Sequence, residues 1–161
     1  MAVNPEVLEG LTSGIQSEVA TYVFYVESAK KVKDKELVEL LKQLALEEKR
    51  HFHVLESQYD SLVRSERWVS TADVLKQEGL PEIGEEMTSR HQGLIDEVKK
   101  ASGRLEILKI ALRLEIEARQ LFEKLAAKAK DAEAKRTYQH LSKFEEGHEK
   151  LISGWIARLE K

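Results

Sequence analysis

The 161-residue sequence contains no cysteine, only two prolines and only 6% aromatic residues. The absence of cysteine excludes disulfides, thiolate chemistry and cysteine-ligated metal centres in one step. The two prolines, Pro5 and Pro81, fall outside the interior of every long periodic segment, so nothing interrupts long helices. No apolar run approaches the roughly 18 residues that span a bilayer. The N-terminus lacks the basic and apolar regions of a signal peptide, and the expected location is cytoplasmic. The formal net charge is -3 without a dense basic block, so neither nucleic acid nor membrane is an expected partner. What remains is 42% hydrophobic and 34% charged, a balance that suits one soluble globular domain over residues 1–161.

Four segments show helical periodicity. Asn4-Pro5 reads as a helix start, with Asn4 as N-cap and proline in the first turn. An apolar stripe then runs Leu8, Leu11, Ile15, Glu18, Tyr22, Tyr25 and Ala29. The polar stretch around Asp34 turns the chain. A second stripe runs Leu37, Leu41, Leu44, Glu48, His51, Leu55 and Leu62. Helices of this length extend roughly 42 Å at 1.5 Å per residue. A third stripe holds Leu105, Leu108, Leu112, Glu115, Phe122, Leu125 and Ala129, and a fourth holds Tyr138, Leu141, Glu145, His148, Ile152, Trp155 and Leu159. Two hairpins are expected, over 5–64 and 102–159. Between them, 66–100 forms an irregular crossover with short helices expected over 71–79, capped by Thr71, and over 94–100. The fold class is an all-α, antiparallel four-helix bundle. A crossover of that length can run along the whole bundle, which would put the two hairpin turns at opposite ends.

The halves repeat. A shift of 97 residues, without a gap, places Glu18 on Glu115, Glu48 on Glu145, His51 on His148, Tyr25 on Phe122 and Asp34 on Asp131. A lone Glu-x-x-His means little: 24 glutamates and 5 histidines give about 0.7 such pairs by chance. Two of them at equivalent points of a repeat, each on a core stripe, are far more specific. Residues three apart share a helix face, so Glu48 and His51 point the same way. Glu18 lies 16 residues before Asp34, and Glu48 and His51 lie 14 and 17 after it. In antiparallel helices these three meet at one height, about 24 Å from the turn. Glu115, Glu145 and His148 stand in the same relation to Asp131.

Four carboxylates in an apolar core repel one another, and each costs several kcal/mol of desolvation. No lysine or arginine occupies the stripes at that level. Two divalent cations would neutralise four glutamates. Hard oxygen donors with one imidazole per ion suit iron or manganese. The alternative is a buried hydrogen-bonded network without metal, which is costly unless every member is satisfied.

One Glu from each of two helices and Glu-x-x-His from each of the other two is the ligand pattern of di-iron and di-manganese carboxylate bundles. The stretches EIEARQLFEKLA (115–126) and LALEEKRHFHVL (44–55) resemble the rubrerythrin branch of the ferritin-like superfamily, over roughly 5–64 and 102–159. The resemblance implies that Glu18 and Glu115 are terminal ligands, that Glu48 and Glu145 bridge two ions, and that His51 and His148 each bind one. It also implies two metal ions per chain, iron first and manganese as the alternative. The implied function is a di-iron oxidoreductase reducing hydrogen peroxide or O2 with electrons from an external donor protein; a homodimer is expected, and the 66–100 linker is long enough to exchange hairpins with a neighbour. Two departures stand out. The cysteine-rich rubredoxin module common in rubrerythrins is missing, and the extra glutamate three residues after the helix-three ligand is replaced by Ala118 (Thr21 in the first half). Six ligands bring the set nearer that of bacterioferritins. Ferroxidase activity with iron storage, and di-manganese peroxide disproportionation, are the alternative functions.

Tyr25 is a candidate neighbour of the ligands, with core packing as the plain alternative. Glu47, Glu117 and Glu146 fall off the stripes and read as solvated. Gly147, inside the second Glu-x-x-His, reads as either a point of close approach or a tolerated helix glycine.

Overall fold

The computed structural model describes residues 3–76 and 83–161. Those residues form seven helices and no strand: α1 (Pro5–Lys31), α2 (Lys35–Ser65), α3 (Thr71–Leu75), α4 (Glu85–Ser89), α5 (Gln92–Lys100), α6 (Arg104–Lys128) and α7 (Ala132–Leu159). No helix among them is long and apolar enough to cross a membrane.

Local chemistry sets the helix ends. Asn4 Oδ1 accepts from the Glu6 N–H at 2.9 Å, with Pro5 in the first turn of α1. The two turn aspartates act alike: Asp34 Oδ1 accepts from Glu36 N and Leu37 N, and Asp131 Oδ1 from Glu133 N and Ala134 N. Such caps contribute about 1 kcal/mol each, and they start α2 and α7 at equivalent points of the repeat. Glu66 ends α2 in the left-handed region, with φ 57°. This is an uncommon conformation for a residue with a Cβ, and its N–H closes on the Leu62 carbonyl.

α1 packs along α2, α6 packs along α7, and α1 meets α6 where the hairpins join. The core divides around mid-bundle. Toward the first turn, Phe24, Leu37, Leu41, Leu44, Leu108 and Ile152 form one buried cluster. Toward the second, Leu11, Leu55, Phe122, Tyr138 and Leu141 form another. Full burial of a leucine or phenylalanine contributes about 1.5–3 kcal/mol, so two apolar plugs confine whatever lies between them. Gly14 lets α1 approach closely: a Cβ there would stand 3.0 Å from Leu55 and 3.1 Å from Phe122.

The crossover is tied down at both ends. The Gln58 amide brackets Val69, donating to its carbonyl at 2.6 Å and accepting from its N–H at 2.9 Å. Lys31 Nζ donates to the carbonyls of Val98, Lys99 and Ala101 at the end of α5. Arg104, opening α6, pairs with Asp34 of the first turn at 2.7 Å, whereas Thr71 meets Thr137 and Glu133 beside the second turn. The two hairpin turns therefore sit at opposite ends of the bundle. Ile83, Met87 and Ile95 of the crossover cover an outer apolar face formed by Val19, Val23 and Phe52.

Several details differ from the sequence reading. The cap position of α3 is Ser70, without a side-chain cap bond, rather than Thr71, whose hydroxyl is engaged by Thr137 at 2.9 Å. α3 is only five residues long, and the remainder of the expected 71–79 helix runs past Lys76 to positions 77–79, outside the described residues; so does Pro81. α4 carries no sustained periodicity and was not expected as a helix. α5 begins two residues earlier than expected.

Candidate metal centre

The inward-facing positions of the four long helices follow the 3.6-residue repeat: Leu11, Gly14, Glu18, Tyr25 on α1; Leu41, Leu44, Glu48, His51, Leu55 on α2; Leu108, Ala111, Glu115, Phe122 on α6; Leu141, Glu145, His148, Ile152 on α7. The polar members fall at one height. Glu18, Glu48, Glu115 and Glu145 are each 0% exposed, His51 3% and His148 5%.

The six side chains divide into two overlapping groups. Glu18, Glu48, His51 and Glu145 form one; Glu48, Glu115, Glu145 and His148 form the other. In each group the donor atoms lie within 4.8 Å of one another. Glu48 and Glu145 belong to both. His51 Nδ1 lies 3.2 Å from Glu145, 3.4 Å from Glu48 and 3.5 Å from Glu18. His148 Nδ1 lies 3.1 Å from Glu48, 3.3 Å from Glu115 and 3.3 Å from Glu145. The imidazoles stack with centroids 6.1 Å apart. The approximate twofold of the sequence repeat is thus a twofold of the cluster, with each Nδ1 turned inward.

Burial, then the charges of Glu145 and Glu48, push the Glu18 carboxyl well above the usual range. Burial and Glu145 likewise raise Glu115 to about 8. Burial and a neighbouring carboxylate also oppose ionisation of Glu48 and Glu145. There, the close approach of the facing glutamate and the two imidazoles prevails, and both are lowered. Burial disfavours a charged imidazole at His51, but the facing carboxylates of Glu145 and Glu48 outweigh it and raise the group to about 9. His148 is raised further against the same opposition, by Glu115, Glu145, Glu47 and Glu48. Burial thus works against ionisation of Glu18 and Glu115, while the nearby carboxylates favour charged imidazoles at His51 and His148. Divalent cations in place of protons would offset the carboxylate charge that burial penalises.

The residues fit such cations. Glu18 Oε1 and Oε2, Glu48 Oε2, Glu115 Oε2 and Glu145 Oε2 are buried without a hydrogen-bond partner among the described residues. Orphaned buried carboxylate oxygens are rare and call for an explanation, and a hard cation supplies one. Tyr25, fully buried, donates its hydroxyl to Glu115 Oε1 across the hairpin junction. Burial first, then the charge of Glu115, raises the phenol well above its ordinary value, so it stays a donor. Thr21 and Ala118 lie three residues after Glu18 and Glu115. Both are buried, and the Thr21 hydroxyl bonds back to the Ser17 and Glu18 carbonyls.

One sequence reading is corrected, and one left open between two alternatives is decided. Glu47 is not a solvated bystander: its Oε2 lies 2.7 Å from His148 Nε2. A signal was present, since Glu47 is three residues after Leu44 and four before His51 and so widens the stripe toward α7. Gly147 makes no close approach, because a Cβ there would meet nothing within 4 Å.

The rubrerythrin family model matches residues 9–156. A hypothetical protein from Pyrococcus furiosus has a similar structure, with a TM-score of 0.66 at 23% identity, over 94% of this chain and 88% of that one. That likeness speaks to the fold alone. No curated protein matches the sequence.

Proposed function

This chain belongs to the rubrerythrin family, and on that premise we propose that it is a di-iron oxidoreductase that reduces hydrogen peroxide or O2 with electrons from an external donor. The observation that carries the proposal is the pair of overlapping buried groups, each with three carboxylates and one imidazole, whose orphaned oxygens converge at mid-bundle. Glu48 and Glu145, common to both groups, would hold two ions side by side. Glu18 and His51 would complete one position, and Glu115 and His148 the other. Two adjacent ferrous ions bound there supply two electrons, the number that converts one hydrogen peroxide and two protons into two waters.

The protein's own groups prepare that chemistry. The apolar clusters on either side exclude bulk water, which strengthens every electrostatic interaction within. Tyr25 holds the Glu115 carboxylate through Oε1, while Oε2 is buried without a hydrogen-bond partner among the described residues. The imidazoles give up their Nδ1 protons on metal loading and become neutral donors. With no cysteine in the 161 residues, electrons come from a donor centre outside them.

The test is anaerobic peroxide addition to iron-loaded, chemically reduced protein. One peroxide consumed per two irons oxidised, without O2 release, is the expected result. Evolution of O2 at half the peroxide consumed would mean disproportionation instead. Iron that stays ferrous in the presence of peroxide would overturn the proposal.

A further inference from the structure

The ligand sets of the two halves are alike, but their surroundings are not. His148 turns Nδ1 toward the carboxylates and presents Nε2 to Glu47 Oε2 at 2.7 Å. Glu47 is 23% exposed along its side chain and reaches His148 from the opposite hairpin. The shift of 97 residues puts Phe144 at the equivalent place. Phe144 stands edge-on to His51, with centroids 4.9 Å apart, and also edge-on to His148 at 6.1 Å. Among the described residues, the ion pairs of His51 run from Nδ1. His148 thus has a carboxylate at Nε2, and among the described residues His51 has no such ion pair.

That difference matters to a metal ligand. An imidazole that binds through Nδ1 carries its proton on Nε2. A carboxylate accepting that proton fixes the tautomer, locks the ring and raises the basicity of the ligating nitrogen. An aromatic ring does none of these as well. We propose that Glu47 is a positioning residue for His148, and that it makes the two metal positions unequal, with the ion beside His148 held more tightly and loaded first. The inference rests on the reading of the cluster as a two-metal centre. It assigns a division of labour between near-identical ligand sets to one residue at which the repeat is broken.

The test is calorimetric and optical titration of chelator-stripped protein with Co(II) under anaerobic conditions. Wild type takes up two ions in separate steps. Loss of such a hydrogen-bond partner weakens metal binding about 10–100-fold. Glu47→Ala therefore weakens the tighter step by that factor and leaves the weaker step in place. Glu47→Gln keeps an acceptor oxygen and recovers part of the loss. His51→Ala removes the weaker step and spares the tighter one. In the Co(II)-loaded protein, a slowly exchanging, hyperfine-shifted imidazole N–H resonance from His148 is present in wild type and lost in Glu47→Ala. Two equal steps in wild type, or a Glu47→Ala protein with both steps unchanged or both equally weakened, would overturn the inference while leaving the two-metal reading intact. Uptake of one ion or none by wild type would overturn that reading and this inference with it.

Discussion

Tyr25 on α1 donates its hydroxyl hydrogen bond to Glu115 on α6, joining the two hairpins at the level of the candidate metal centre. The repeat offers no counterpart, because Phe122 stands where a second tyrosine would. Phe122 instead stacks on Tyr138, with centroids 6.3 Å apart.

Tyr25→Phe keeps the ring and removes the donor, leaving Glu115 Oε1 buried with one partner fewer. A hydrogen bond to a group that carries charge is worth about 1.5–3 kcal/mol. Urea unfolding of the metal-loaded variant is expected to show a loss of that order, with the fold and the metal content retained. An unchanged unfolding midpoint would mean that the bond contributes nothing.

Glu48 belongs to both groups of donors, whereas Glu18 belongs to one. Glu48→Ala is therefore expected to deplete both ions, and Glu18→Ala chiefly one. Elemental analysis of protein purified in parallel gives the ratio directly. His148→Ala is expected to lose metal sharply as well. Full occupancy in both Glu48→Ala and His148→Ala would contradict the assignment.

Protein stripped with a chelator is expected to lose stability as the solution becomes alkaline. Glu115 is raised from 4.5 to about 8 and His51 from 6.5 to about 9. Each binds its proton more tightly folded than unfolded. Their contributions are complete below 4.5 and 6.5 respectively, and are lost as pH rises through 8 and 9. Thermal midpoints should fall from about pH 5 to pH 9. Metal-loaded protein has already released these protons, so its midpoint should be flatter over that range. A midpoint of the stripped protein that climbs with pH would reverse the sign and refute the protonation pattern.

The two glycines Gly14 and Gly147 are expected to respond oppositely to alanine. At Gly147 the added Cβ meets nothing, and better helix propensity should stabilise by about 1 kcal/mol. At Gly14 it meets Leu55 and Phe122 at 3.0 and 3.1 Å, and both are fully buried with little room to retreat. Overpacking costs about 1–3 kcal/mol, which should exceed the propensity gain. Thermal unfolding of the pair gives both signs in one experiment.

Periodicity and the 97-residue repeat determined the four long helices, the turn aspartates and the six polar side chains at one height. These follow from spacing along the chain, since 3.6 residues per turn fixes which side chains share a face. Only the tertiary structure decided which carboxylates are shared, because Glu48 and Glu145 reach across to the histidine of the opposite hairpin. It also decided that Tyr25 serves Glu115 and that Glu47 serves His148. Those contacts depend on how two helices from different hairpins lean together. Adjacent helices pack through side chains several ångströms long, so a residue at the flank of a stripe faces solvent or a neighbour according to a crossing geometry that no local spacing encodes.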